Sequence, residues 1–240
     1  MQTSLGSTEI GRIFDTHSET YDSVTNGSIA FSGLKVDFFV RAKAEHLLSE
    51  CNKRFGATDS LDILDVGCGI GKYHGLLRPR VGSVSGVEVS ASSLDIARNN
   101  HSDIDYRHYN GARLPWDDAS FDVAYTVCVM HHVPPQHWQG FAEEMLRVVR
   151  PGGIAVVFEH NPLNPLTRKA VNDCPYDEDA VLLRPARVHE LFRAAGADRV
   201  STEHILTIPA ISGPLKAMDR AFGRLPFGAQ YCTTITKART

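Results

Sequence analysis

The sequence predicts an α/β fold on a doubly wound, mostly parallel sheet of seven strands, and three observations carry that prediction. Short apolar runs alternate with helical patterns from residue 61 to residue 159, the rhythm of repeated strand–helix units. The first of those runs, Leu61-Asp62-Ile63-Leu64-Asp65-Val66, passes directly into Gly67-Cys68-Gly69-Ile70-Gly71, a buried strand ending in a tight turn. The chain has 240 residues, 42% of them hydrophobic, with a formal net charge of -3, enough for one domain with a substantial core.

Taken in order, residues 8–21 place Ile10, Ile13, Phe14, His17 and Tyr21 at helical spacing, which predicts an amphipathic helix. Residues 24–34 carry Asn26-Gly27 and Ser32-Gly33 and read as a broken loop. A second helix is expected from Val36 to Leu48, so residues 1–58 form an N-terminal helical cap. The remainder, 59–240, is the sheet domain.

After the first strand a helix is expected from about Lys72, which aims its free N–H groups and positive dipole end into the crevice. Strands follow at Val84–Val89, Asp105–Tyr109, Phe121–Val129 and Ile154–Glu159. The run at Phe121 is almost wholly apolar, which makes that strand central. Ser90 is placed to cap a helix through Arg98. A helix from Gln136 to Val149 stops at Arg150-Pro151-Gly152-Gly153. The last strands are expected at Arg199–Thr207 and Gln230–Thr236, after a helix from Arg187 to Ala195. Proline-bearing insertions at 161–185 and 209–229, the second with a short helix, are read as cover on the substrate side.

Ligands of such sheets bind beyond the carboxyl ends of the strands, where the strand order reverses. That rule gathers Gly67–Gly71, Glu88, Asn110, His131, His132 and Glu159 on one rim. Glycines at alternating positions let backbone approach a bulky group closely, so the strand, loop and helix together suit a nucleotide-like ligand. The dinucleotide fingerprint is G-x-G-x-x-G. Here Asp65-Val66-Gly67-Cys68-Gly69-Ile70-Gly71 reads D-x-G-x-G-x-G, with different glycine spacing and an acid before the first glycine.

That stretch resembles motif I of the class I S-adenosylmethionine-dependent methyltransferases, particularly the small-molecule branch called type 11 or UbiE-like. The resemblance covers residues 60–160 through specific motifs. It implies a Rossmann-like fold whose last strand runs antiparallel between two others, with S-adenosylmethionine as cofactor. Glu88 then stands where the family holds the ribose hydroxyls. Asn110-Gly111 before Leu114-Pro115-Trp116 matches the G-D-A-x-x-L-P-F segment beside the adenine, with Asn110 in the usual Asp position. Phe121-Asp122 matches the following F-D strand, and Phe14-Asp15 with Tyr21-Asp22 matches the N-terminal F-D…Y-D segment that closes over the donor. The donor-binding set so implied is Tyr21, Asp65, Gly67, Cys68, Gly69, Gly71, Glu88, Val89, Asn110, Gly111, Ala112 and Cys128.

On the acceptor side, Val129-Met130-His131-His132-Val133 resembles the family's L-H-H-hydrophobic segment. Methyl transfer is an in-line displacement, and a base helps when the nucleophile is a hydroxyl. Histidine titrates near neutrality, so His131, His132, Glu159 and His160 are the candidate catalytic residues. Neighbours at a strand end point in opposite directions, which favours His132 over His131 as the group facing substrate. Glu159 is placed either to orient a histidine or to bind the acceptor, and Cys174-Pro175-Tyr176-Asp177 with Arg184 to shape the acceptor pocket. A metal centre drawn from His131, His132 and His160 lacks the helical i, i+4 spacing, and none is expected.

The expected activity is methyl transfer to a hydroxyl or amine of a small molecule. A sugar-bearing metabolite is the first guess and a quinone or lipid-like phenol the alternative. A non-catalytic S-adenosylmethionine-binding regulator would keep the same donor residues, whereas an NAD-dependent oxidoreductase fits neither the glycine spacing nor Asp65. Lys and Arg total 25 against 28 acidic residues, and they are dispersed, so no nucleic-acid partner is expected. No apolar run reaches the ~18 residues of a membrane span. The five cysteines form no CxxC pair, and the N-terminus carries no apolar leader. A cytoplasmic monomer or homodimer is expected.

Overall fold

In the computed structural model, residues 21–239 are described. The helix expected over 8–21, the Phe14-Asp15 segment and the side chain of Tyr21 lie outside them. Seven strands form one sheet: β1 (Asp62–Val66), β2 (Ser83–Glu88), β3 (Asp105–His108), β4 (Phe121–Val127), β5 (Val149–His160), β6 (Ala197–Ile205) and β7 (Gln230–Lys237). Their order is β3-β2-β1-β4-β5-β7-β6. The first five are parallel, and β7 runs antiparallel between β5 and β6. The apolar strand at Phe121 is therefore the middle one, as its composition requires.

The strands sort their side chains by the two-residue period. Ile63, Val123, Tyr125, Ile154, Val156 and Phe158 face one layer. Leu64, Val66, Ala124, Ala155 and Val157 face the other. Helices α2 (Val36–Phe55) and α4 (Ala91–Asn100) cover the first layer, whereas α5 (Trp138–Val148) and α7 (Pro185–Ala194) cover the second. Ser90 caps α4 by accepting from the Ser93 N–H, as the sequence implied.

Several elements differ from expectation. Residues 24–34 are not an open loop: helix α1 (Tyr21–Ser28) runs through Asn26-Gly27, a short 3-10 turn follows at Ala30–Ser32, and the break comes at Gly33. The Asn26 side chain accepts from the Val36 N–H and so ties α1 to α2. Helix α2 continues to Phe55, and Ala44, Leu47, Leu48 and Cys51 belong to the main core. Its second half thus packs against the sheet. The helix expected at Lys72 is a single turn, α3 (His74–Leu77), continued by a 3-10 turn at Arg78–Arg80. Arg150-Pro151-Gly152-Gly153 is no simple stop: β5 begins at Val149, and the pairing with β4 shifts register between Phe121 and Val123.

The first insertion contains helix α6 (Pro165–Asn172), capped by Asn164, and a 3-10 turn at Pro175–Asp177. The second contains α8 (Gly213–Phe222), which borders a separate polar depression with α2 rather than the main crevice. No helix among the described residues is long and apolar enough to cross a membrane.

Candidate active site

A cavity of about 1350 Å³ opens at the carboxyl ends of β1, β2, β4 and β5, where the order reverses and ligand crevices form. Gly67, Cys68, Gly69, Glu88, Val89, Asn110, Gly111, Ala112, Cys128, His131, His132 and His160 all line it. Asp65, Gly71 and Glu159 do not. Each of those three stands directly behind the wall, and each placement has a physical reason.

Asp65 is 1% exposed and faces inward. Its Oδ2 accepts from the Tyr125 hydroxyl at 2.8 Å and lies 3.0 Å from His74 Nε2, while His74 Nδ1 meets the Tyr106 hydroxyl at 2.5 Å. A buried carboxylate requires such partners, and the chain of four side chains props the glycine loop from below. Gly71 belongs to the same support, since a Cβ there would come within 2.7 Å of the Tyr106 hydroxyl. At Gly67, with φ +78°, a Cβ would collide with Val129 at 2.5 Å. Only Gly69 faces open space. The glycines thus make room mostly for this chain's own side chains, and one of the three for a ligand.

Glu88 binds the loop from the opposite side. Its Oε2 accepts from the Gly69 N–H at 3.0 Å, and Oε1 accepts from Val89 and Ser90 N–H at 2.7 and 3.0 Å. Burial raises its carboxyl above the ordinary range, and these three N–H groups oppose the shift. Beyond it the Asn110 side-chain oxygen accepts from the Ala112 N–H, which shapes the turn that carries Asn110-Gly111.

The acceptor end is built on a 3-10 turn, Met130–His132, after β4. Cys128 makes the bend with φ +56°, a backbone conformation that costs a non-glycine residue about 1–3 kcal/mol. The Trp138 indole N–H fixes the turn by donating to the carbonyls of Met130 and Val133. Because this is a turn and not a strand, the two histidines do not diverge: their rings are 4.1 Å apart and both border the cavity. The divergence expected of neighbours at a strand end is therefore absent for this pair. Glu159, fully buried on β5, accepts from the Met130 N–H at 2.8 Å and contacts His131 Nδ1 at 2.6 Å. It holds a histidine ring and does not line the cavity.

The turn at Pro175–Asp177 delivers a second carboxylate. Asp177 Oδ1 stands 3.4 Å from Nε2 of both His131 and His132. The Val181 N–H donates to the His131 carbonyl at 2.8 Å, which pins this insertion over the histidines. Arg184 does not border the cavity. Much of the remaining wall is apolar, with Ile29, Phe31, Phe38, Phe39, Leu166 and Phe227 prominent, and Ser28, Lys43, Asn164, Thr167 and Gln230 also border it.

Residues 64–157 match a family model described as a methyltransferase domain. Among curated relatives, a probable S-adenosylmethionine-dependent methyltransferase of Mycolicibacterium smegmatis is 29% identical over 75% of this chain and 72% of its own length. A demethylmenaquinone methyltransferase of Tropheryma whipplei is 32% identical over 63% of this chain. The matched region spans only 59% of that relative. Among solved structures, an S-adenosylmethionine-dependent methyltransferase of Thermotoga maritima superposes with a TM-score of 0.62 at 21% identity, over 83% of this chain and 92% of the other. These matches support an S-adenosylmethionine-dependent methyltransferase domain across residues 64–157.

For a methyltransferase the acceptor end has a telling charge distribution. Burial lowers the affinity of His131 for a proton, yet Glu159 and Asp177 outweigh it and raise its pKa well above the ordinary value. Burial and the charged His131 push His132 down to about 3 and His160 down to about 4. The carboxyls of Glu159 and Asp177 are pulled up by burial and, more strongly in sum, down by the histidines. Near neutral pH the cluster is one imidazolium, two neutral imidazoles and two carboxylates, a net charge of -1. Burial raises the Cys128 thiol, which keeps it protonated and unsuited to covalent catalysis.

Sequence reasoning missed His74, Tyr106 and Tyr125 as the partners of Asp65, and it gave Asp177 no role beyond shaping the pocket. It also passed over Lys43, buried on α2 and bordering the cavity with Nζ 3.9 Å from Cys128 Sγ. Apart from His74, which lies nearer to Asp65 along the chain, each is far from its partner in sequence, and no spacing rule links them.

Proposed function

We propose that this methyltransferase moves the methyl group of S-adenosylmethionine to a hydroxyl of a small molecule whose body is apolar. The observation that carries the reading is one cavity with a polar donor end at Glu88 and Gly69, a histidine–carboxylate cluster at His131, His132 and Asp177, and apolar walls between. Glu88 and Asn110 would hold the adenosine, and Gly67–Gly69 would cradle the sulfonium end of the donor.

The net charge of -1 supports this placement, because it faces a sulfonium in a site of low dielectric. His132, neutral and bordering the cavity, would accept a hydrogen bond from the acceptor hydroxyl and orient its lone pair toward the methyl; with its pKa pushed down to about 3 it is a weak base, so the proton leaves to solvent once the oxygen–methyl bond has formed and the sulfur–methyl bond has broken. Glu159 keeps the His131 ring in place. Alignment of donor with acceptor supplies most of the barrier reduction.

The walls revise the first guess about the acceptor. Phe31, Phe38, Phe39 and Leu166 line the cavity, and a sugar hydroxyl set against them would lack a partner. That costs about 1–3 kcal/mol for each unsatisfied group. The test is a panel of phenols, hydroquinones and alicyclic alcohols against sugar-bearing compounds, read by S-adenosylhomocysteine release. Turnover confined to the apolar set supports the proposal, and turnover confined to sugars contradicts it.

A further inference from the structure

The three polar groups at the acceptor end share a geometry that proton transfer alone does not require. Nε2 of His131 and Nε2 of His132 each stand 3.4 Å from the same Asp177 oxygen. One ligand atom from each of the three residues lies within 4.8 Å of the others. Two ligands about 2.1 Å from a shared tetrahedral ion are separated by about 3.4 Å.

The surroundings have the form of a metal site. Glu159 takes the Nδ1–H of His131 at 2.6 Å, the carboxylate–histidine arrangement that fixes a ligating ring and raises its basicity. Glu159 is itself held by the Met130 N–H. The His131 Nε2 that this exposes to Asp177 is fully buried and makes no aligned hydrogen bond there. All three residues border the cavity, so further coordination positions open toward a ligand. Two imidazoles and one carboxylate with open positions suit a first-row divalent cation.

We propose that His131, His132 and Asp177 bind one such divalent cation, with Glu159 positioning His131. The proposal rests on the reading above only in placing the acceptor oxygen at this cluster, and with the cation bound His132 is a ligand in place of a partner for the acceptor proton; the cation site itself follows from the geometry. A second group, His46, Glu50 and Glu203, is also close enough to be considered. There Lys53 already supplies a cation, 2.5 Å from Glu50 and 3.3 Å from Glu203, and that group serves as the control.

The test uses the full chain stripped with chelator and dialysed, then titrated with Zn²⁺ by calorimetry and with Co²⁺ by visible absorption. The expected result is one equivalent bound, with ligand-field bands from Co²⁺. His132→Ala and Asp177→Asn each weaken binding by about 100-fold, and Glu159→Gln weakens it by roughly 10–100-fold. Glu203→Gln leaves binding unchanged. S-adenosylhomocysteine titrated into every variant reports an intact fold. Absence of saturable uptake in the wild type overturns the proposal, and so does binding that survives both His132→Ala and Asp177→Asn. If S-adenosylhomocysteine still binds in those cases, the donor reading stands and the cation alone is wrong; if the wild type fails to bind it, the donor reading fails independently of the metal.

Discussion

Asp65 and Glu159 are both buried acids behind the cavity wall, and their partners give them different tasks. Asp65 accepts from Tyr125 and pairs with His74 beneath the glycine loop. Breaking a buried pair by removing one charge costs about 3–5 kcal/mol. Asp65→Asn is therefore expected to lower the melting temperature by about 6–20 °C, with a smaller effect on donor affinity; a thermal melt beside a donor titration checks this. Glu159 acts through His131. Glu159→Gln should reduce turnover by roughly 10²-fold while S-adenosylhomocysteine affinity stays nearly constant, as single-turnover kinetics with a parallel titration would read.

At the scale of elements, the turn after β1 and the turn after β4 depend on each other. Gly67 must lack a side chain because Val129, on the second turn, occupies the space where a Cβ would sit. Gly67→Ala should push the two turns apart and weaken donor binding by at least tenfold, about 1.4 kcal/mol, which calorimetry would measure. The strands themselves were legible in the sequence, because buried parallel strands are continuous apolar runs and turns are marked by glycine and proline. The ends of the elements were less so. Residues 150–153 carry turn chemistry and lie inside β5 as an irregularity between the Phe121–Val149 and Val123–Ile154 pairs, where the register shifts. The donor rim was legible through one contiguous motif. The acceptor cluster was only half legible, because Asp177 reaches His131 by the fold of an insertion that no local spacing encodes.

For the whole molecule, α2 joins the cavity to the core and carries a buried histidine. His46 packs against Phe158, and neither ring nitrogen has a hydrogen-bond partner. Burial lowers its pKa from 6.5 to about 4, with Glu203 opposing and Lys216 assisting. Between those values the unfolded chain binds the additional proton and the folded chain does not. The stability contributed by neutral His46 is therefore present above pH 6.5 and is lost as the pH falls through the window down to about 4. His46→Leu should flatten that loss by an amount on the order of 3 kcal/mol, visible in denaturant melts at pH 7 and pH 4.5.

The central claim is that Gly67–Gly69 and Glu88 hold S-adenosylmethionine at the switch in strand order. Calorimetric titration with S-adenosylmethionine, S-adenosylhomocysteine and NAD, on the wild type and on Glu88→Ala, tests it most directly. The account predicts micromolar binding of the first two by the wild type, no binding of NAD, and a loss of about 10–100-fold in the variant, the value of hydrogen bonds to a charged group. Binding of NAD alone, or undiminished binding by Glu88→Ala, would contradict it.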